Sequence, residues 1–221
     1  MRKKDAKQPQ IQLYRNLSDS NRNSKRWTIA VMGTTLQLCL GTVYAWSFFQ
    51  KPIMAAYGWS NSQVAWIFSL AICFLGIAAA WGGVNLAKFG PKKLAISGAV
   101  LYGLGHLGAT AAMLTGSLPL FYISYGVIGG IGLGLGYVTP VATCAKWFPD
   151  KKGLVTGMVV MGFGLGALLQ SKVIAPLFMK MFEGNLPYVF LNIGLILLVV
   201  AGGSALFMQN PPKGYKVPGA P

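Results

Sequence analysis

The sequence predicts an all-α membrane protein of six transmembrane helices. Three observations carry that prediction. Of 221 residues, 54% are hydrophobic and 10% charged, whereas about a quarter of the residues of a soluble domain are charged. The 29 glycines suit membrane spans, where glycine is more frequent than in soluble helices. A net charge of +15 would suggest nucleic acid if the basic residues clustered on a soluble surface, but they fall at the ends of long apolar runs. Nucleic acid is therefore not an expected partner, and the lipid bilayer is.

Residues 1–26 form a polar, basic arm, expected to be disordered. Residues 27–208 hold the spans, and residues 209–221, rich in Pro and Gly, begin a linker. Span one runs from Trp27 to Phe49, long enough at about 1.5 Å per residue to cross a hydrocarbon layer of about 30 Å. Its first apolar residue comes too late, and its run is too long, for a cleaved signal peptide. Gln50, Lys51 and Pro52 close it. Span two opens at Ser60, with Gln63 placed to complete a capping box, and continues to Leu86. The turn from Ala87 to Lys93 leads into span three, Leu94 to Thr115. Only Gly116 and Ser117 separate that span from span four, Leu118 to Cys144, so the two form a tight hairpin. Span five covers Gly153 to Phe178, and span six Leu186 to Met208. Placing both ends in the cytoplasm leaves all but Lys51, Lys172 and Lys180 of the 19 basic residues on that side, as the positive-inside rule requires.

Glycine spacing singles out spans four and five. Gly126, Gly130 and Gly134 recur every fourth residue, and Gly153 with Gly157 and Gly162 with Gly166 repeat the device. Small residues four apart let helices approach backbone to backbone in lipid, so these faces are expected to form one smooth seam between the two spans.

Polar chemistry within the spans is sparse. Asp5, Asp19, Asp150 and Glu183 all lie outside them, which leaves no embedded carboxylate for a proton relay. His106, in span three, is expected to hydrogen-bond a neighbouring helix, a titrating role being the alternative. Cys39, Cys73 and Cys144 have no metal or redox spacing and are expected to pack. Lys172 either snorkels to the outer surface or faces a cavity and attracts a carboxylate. Pro149 and Asp150 suit the start of span five. Among the aromatics Tyr44, Trp46, Trp66, Tyr102 and Tyr137, Tyr44 and Tyr137 stand near Gly41 and Gly136, where a hydroxyl beside open backbone can line an anion pocket. No nucleophile elbow accompanies His106, so an intramembrane serine protease is disfavoured, and neither enzyme activity, metal nor cofactor is expected.

Gly83, Lys88, Gly90 and Lys92 resemble the loop signature of the major facilitator superfamily, with Ala87 where the signature has an acid. Within that superfamily the chain is similar to the oxalate:formate antiporter family. The resemblance rests on Gly41 to Trp46, Lys88 to Pro91, Tyr125 to Gly130, Tyr137, Lys146 to Leu154, Gly162 to Gly166 and Asn210 to Tyr215. It implies the amino-terminal half, a 3+3 inverted repeat, of a twelve-helix plasma-membrane carrier whose carboxy-terminal six-helix half is the expected partner. Small organic anions such as formate, oxalate, lactate or pyruvate would bind between the halves and be exchanged by alternating access. The implied lining is Tyr44, Trp46, Tyr137 and Phe163, the last standing where the family's oxalate exchanger has a tyrosine. Gly83, Lys88, Gly90 and Lys92 are the implied gating loop. Val43 and Ala65 stand where the oxalate exchanger has glutamines, which favours a less polar monocarboxylate. The alternative is a truncated, non-transporting six-helix protein, or a protomer that needs a partner half.

Overall fold

The computed structural model describes residues 7–215 and 217, with side chains from Asn23 onward; the expectations for residues 1–6, 216 and 218–221 lie outside them. Among the described residues, six helical rods are long and apolar enough to cross a membrane: Asn23–Tyr57, Asn61–Phe89, Pro91–Thr115, Leu118–Trp147, Lys152–Met181 and Leu186–Ala205. These are spans one to six below.

The first helix starts at Lys7 and runs to Gly41, so residues from Lys7 are not a separate arm but leading turns of span one. Elongating a helix already formed avoids the nucleation penalty, which lets it run out of the apolar segment. Span one also ends later than Phe49. A 3₁₀ turn, Thr42–Ala45, joins it to a further helix, Trp46–Tyr57, which carries Pro52 in its interior. Gly58 stops it with a left-handed φ of 67°. Span two starts as its sequence predicts: Gln63 donates its backbone N–H to the Ser60 hydroxyl and returns its side-chain oxygen to the Ser60 N–H. Gly116, at φ 63°, turns span three into span four. Spans four and five each contain a π-helical stretch, Tyr122–Gly129 and Gln170–Ile174.

The expected seam between spans four and five is corrected. A Cβ on Gly126 would meet Leu70, one on Gly130 the Ala71 carbonyl, and one on Gly134 the Leu75 carbonyl, all on span two. The intervening Gly132 faces Tyr102 of span three, and Gly98 of span three faces Gly136. Span four is thus closely packed on two sides, against spans two and three. Span five turns its close face to span one instead: Gly162 lies against Thr34, and Gly166 against Leu38. Gly153 and Gly157 meet nothing within 4 Å. The spacing correctly marks close approach, but it carries no information about which helix approaches.

At the end of the bundle that bears Lys88 and Lys146, one turn gathers three parts of the chain. Arg26, 6% exposed, donates through one guanidinium nitrogen to both carboxylate oxygens of Asp150, at 3.1 and 3.2 Å, and lies over the Phe148 ring. Trp27 meets the same ring edge-on. The Trp147 indole N–H donates to the Gln209 carbonyl at 2.7 Å, and Tyr215 packs on the Trp147 ring. Asp150 therefore does not act as a helix-start residue: the fifth span begins at Lys152, and the carboxylate is taken up by the buried Arg26.

Candidate functional site

Gly41 positions the site. A Cβ there would overlap the Phe163 carbonyl, so its absence allows spans one and five to close and brings the Phe163 ring to the side chains that follow on span one. Phe163 then lies edge-on to both predicted tyrosines, with ring centroids 5.4 Å from Tyr44 and 5.2 Å from Tyr137. Tyr44 also meets Phe68 of span two at 6.1 Å. Side chains of four spans converge here. Tyr44 touches both span two and span five, so its exposed half opens on the face those two spans flank.

Depth along the helices puts this group near the middle of the layer. Tyr137 lies ten residues from the end of its helix at Trp147, and Phe163 eleven from Lys152, each about 15 Å at 1.5 Å per residue. The hydroxyls of Tyr102, Tyr122 and Tyr215 bond to Thr42, Gln63 and Trp147, whereas those of Tyr44 and Tyr137, like those of Tyr57 and Tyr188, make no hydrogen bond among the described residues. Two free O–H donors beside aromatic edges, which carry the positive part of the ring quadrupole, suit an anion. They supply hydrogen bonds without a full positive charge. Lys172, exposed, is nine residues beyond Phe163, about 13 Å along the span and on its other side.

Trp46 does not join this group. It is 3% exposed, packed against Tyr125 and Phe121, and its indole N–H has no partner among the described residues. Trp46 is two residues after Tyr44, a separation that puts side chains on opposite sides of a helix. Val43 is fully buried and also faces away. His106 is corrected as well: Nδ1 pairs with the carbonyl of Tyr102 on its own helix at 3.1 Å, and its ring is enclosed by Tyr102, Tyr125 and Phe190. Cys39 and Cys144 are buried, while Cys73 is exposed. In the turn after span two, Gly90 at φ 78° separates the two helices, Lys88 and Lys92 are exposed, and Gly83 has only a Val138 methyl nearby, at 3.6 Å.

Sequence reasoning missed Gln37 and Gln170, both buried within spans. Gln37 donates to the Tyr137 carbonyl at 3.0 Å, in the turn before Pro140, and so ties span one to the backbone that carries the Tyr137 side chain. The available signal was an amide in the middle of an apolar run, since such groups are expensive in lipid unless bonded.

Comparison with known proteins matches residues 31–221 to the family model of the Major Facilitator Superfamily. The chain is 32% identical over 198 residues to the Escherichia coli protein described as uncharacterized MFS-type transporter YhjX, covering 89% of this chain and 48% of that one. It is 31% identical over 189 residues to the apicoplast pyruvate carrier 1 of Toxoplasma gondii, covering 66% and 34%. It is 33% identical over 146 residues to the oxalate:formate antiporter of Oxalobacter formigenes, covering 65% and 34%. The chain thus spans half or less of the length of each of these relatives.

Proposed function

Because the chain belongs to the Major Facilitator Superfamily, we propose that it is the amino-terminal half of a secondary carrier for small organic anions, of the monocarboxylate or dicarboxylate kind. The observation that carries this reading is the Tyr44–Phe163–Tyr137 group: two tyrosine rings against one phenylalanine, about halfway across the layer. An anion leaving water for that group exchanges hydration for two phenolic hydrogen bonds and ring edges. Its charge is balanced by cationic groups of a carboxy-terminal six-helix half, which closes over the face between spans two and five. Alternating exposure follows from rocking of the two halves about the bound anion. Names of relatives that carry pyruvate, or exchange oxalate and formate, support the carboxylate class. The clustering of basic residues at one end of the bundle supports a cytoplasmic orientation for that end by the positive-inside rule, and the plasma membrane is the proposed location.

Counterflow of radiolabelled pyruvate, lactate, formate and oxalate into proteoliposomes is the test, with the chain reconstituted beside its carboxy-terminal half. Exchange of at least one of these, lost in the Tyr44→Phe, Tyr137→Phe double variant, is the expected result. No exchange of any of the four refutes the proposal.

A further inference from the structure

Span two has two uncovered sides of opposite character. One carries Ser69, Cys73, Gly76, Ala80, Gly83 and Ala87, all small and all at helical spacing. About a third of a turn around the axis, Phe74, Ile77, Ala78 and Trp81 combine with Ile131 and Leu135 of span four to line an apolar groove of about 400 Å³. Ile77 and Trp81 are more than half or half exposed there.

The groove is not uniform along its length. Trp81 stacks on Phe89 at 5.6 Å, with the rings 28° apart, and the Lys88 ammonium lies 5.4 Å from the Phe89 ring centroid. Lys88 is seven residues after Trp81, two helical turns along the same side. From Phe74 to Lys88 is fourteen residues, about 21 Å, against about 15 Å for half a hydrocarbon core. An apolar trough one leaflet deep therefore ends in an aromatic pair at the interface and then in a cation. Lys92 and Lys93, both exposed at the opening of span three, add positive charge at the same end.

We propose that this groove binds one anionic phospholipid from the leaflet at the basic end. An acyl chain lies along Phe74, Ile77 and Trp81, and the phosphate pairs with Lys88. The small side of span two, not the bulky groove, is the one shaped for backbone-close contact with another helix, which leaves the groove to lipid. The inference rests on the membrane fold alone and is independent of which anion the protein carries.

Fluorescence quenching tests it without any transport assay. The protein is placed in phosphatidylcholine vesicles containing brominated phosphatidylglycerol or, separately, brominated phosphatidylcholine. The Trp81 contribution is the difference from the Trp81→Phe variant. One lysine near an anionic surface supports a preference of about fivefold. Half-quenching of Trp81 is therefore expected at about fivefold lower mole fraction of the brominated phosphatidylglycerol, and Lys88→Gln is expected to equalise the two lipids. Equal quenching of the unsubstituted protein by both lipids overturns the proposal in favour of an unselective lipid contact. Absence of quenching by either overturns it in favour of a groove covered by protein.

Discussion

A methyl group added at Gly162 forces spans one and five apart, whereas the same methyl at Gly157 does not. A Cβ on Gly162 would sit 2.7 Å from the Thr34 carbonyl oxygen, while ordinary contact begins at 3.4 Å, so the backbones must part by about 0.7 Å in an interior with no slack. Gaps of that size forfeit about a quarter to a half of each dispersion contact they open, and overpacking of this kind destabilises by about 1–3 kcal/mol. Gly157 has nothing within 4 Å, and alanine in place of an unconstrained helical glycine stabilises by about 0.5–1 kcal/mol. Thermal unfolding in detergent reads the difference, at about 2–4 °C per kcal/mol for a chain of this size. Gly162→Ala is expected to melt below the unsubstituted protein and Gly157→Ala at or above it. A Gly162→Ala variant that melts with Gly157→Ala would falsify the assignment of the close face to span one. Gly166→Ala repeats the test against Leu38. Gly41→Ala extends it to the site, since the displaced backbone is that of Phe163.

Asp150→Asn removes the charge opposite the buried Arg26, and about 1–3 kcal/mol of stability is expected to go with it, less than for a fully buried pair because the carboxylate is partly exposed; a double variant with Arg26→Gln should melt higher than the sum of the singles. Tyr44→Phe and Tyr137→Phe each delete one hydrogen bond to a charged ligand, and apparent affinity for the exchanged carboxylate should fall about tenfold or more, read from the half-saturation of counterflow. Thr42→Val leaves the buried Tyr102 hydroxyl without the bond it makes at 2.8 Å, so the melting temperature should drop by an amount matching about 1–3 kcal/mol. Trp147→Phe removes the donor to the Gln209 carbonyl, and the segment from Gln209 to Tyr215 should become cleavable by protease faster than in the unsubstituted protein.

The rods of this fold were legible because lipid makes their signal long and uniform: twenty apolar residues in a row admit few readings. Their ends were legible where local chemistry sets them, as at Ser60 with Gln63 and at Gly116. They were not legible at Phe49, because a 3₁₀ turn and an interior Pro52 continue the rod past residues that look like a stop. The site was half legible. Tyr44, Tyr137 and Phe163 do meet, but Trp46, two residues from Tyr44, enters the core. Residues two apart stand on opposite sides of a helix, so helical spacing alone already separates these two. Arg26 illustrates a different gap. Its position at the edge of a basic arm gives no hint that it reaches a carboxylate 124 residues away, since such pairings are set only when the helices have packed.

The position of the glycines relative to the tyrosines sets close packing beside the candidate site. Gly41 is three residues before Tyr44, Gly136 one before Tyr137, and Gly162 one before Phe163. At each of these places a helix gives up a side chain to approach a neighbour, and the adjacent residue then stands beside the contact. The three rings are accordingly held beside closely approached stretches of spans one, four and five, and any separation of spans one and five reaches the Tyr44–Phe163 distance directly. Rigid placement of weak donors matters more here than it would beside a lysine. Under the proposed function, two phenolic hydrogen bonds recover only part of what an anion loses on leaving water, and selectivity among carboxylates would fall to geometry. A variant that loosens Gly162 without touching a tyrosine should therefore narrow the ratio of counterflow rates between a small and a larger carboxylate. The stable but unpacked Gly157→Ala variant should leave that ratio unchanged, and equal ratios in both variants would show that the glycine contacts serve stability alone.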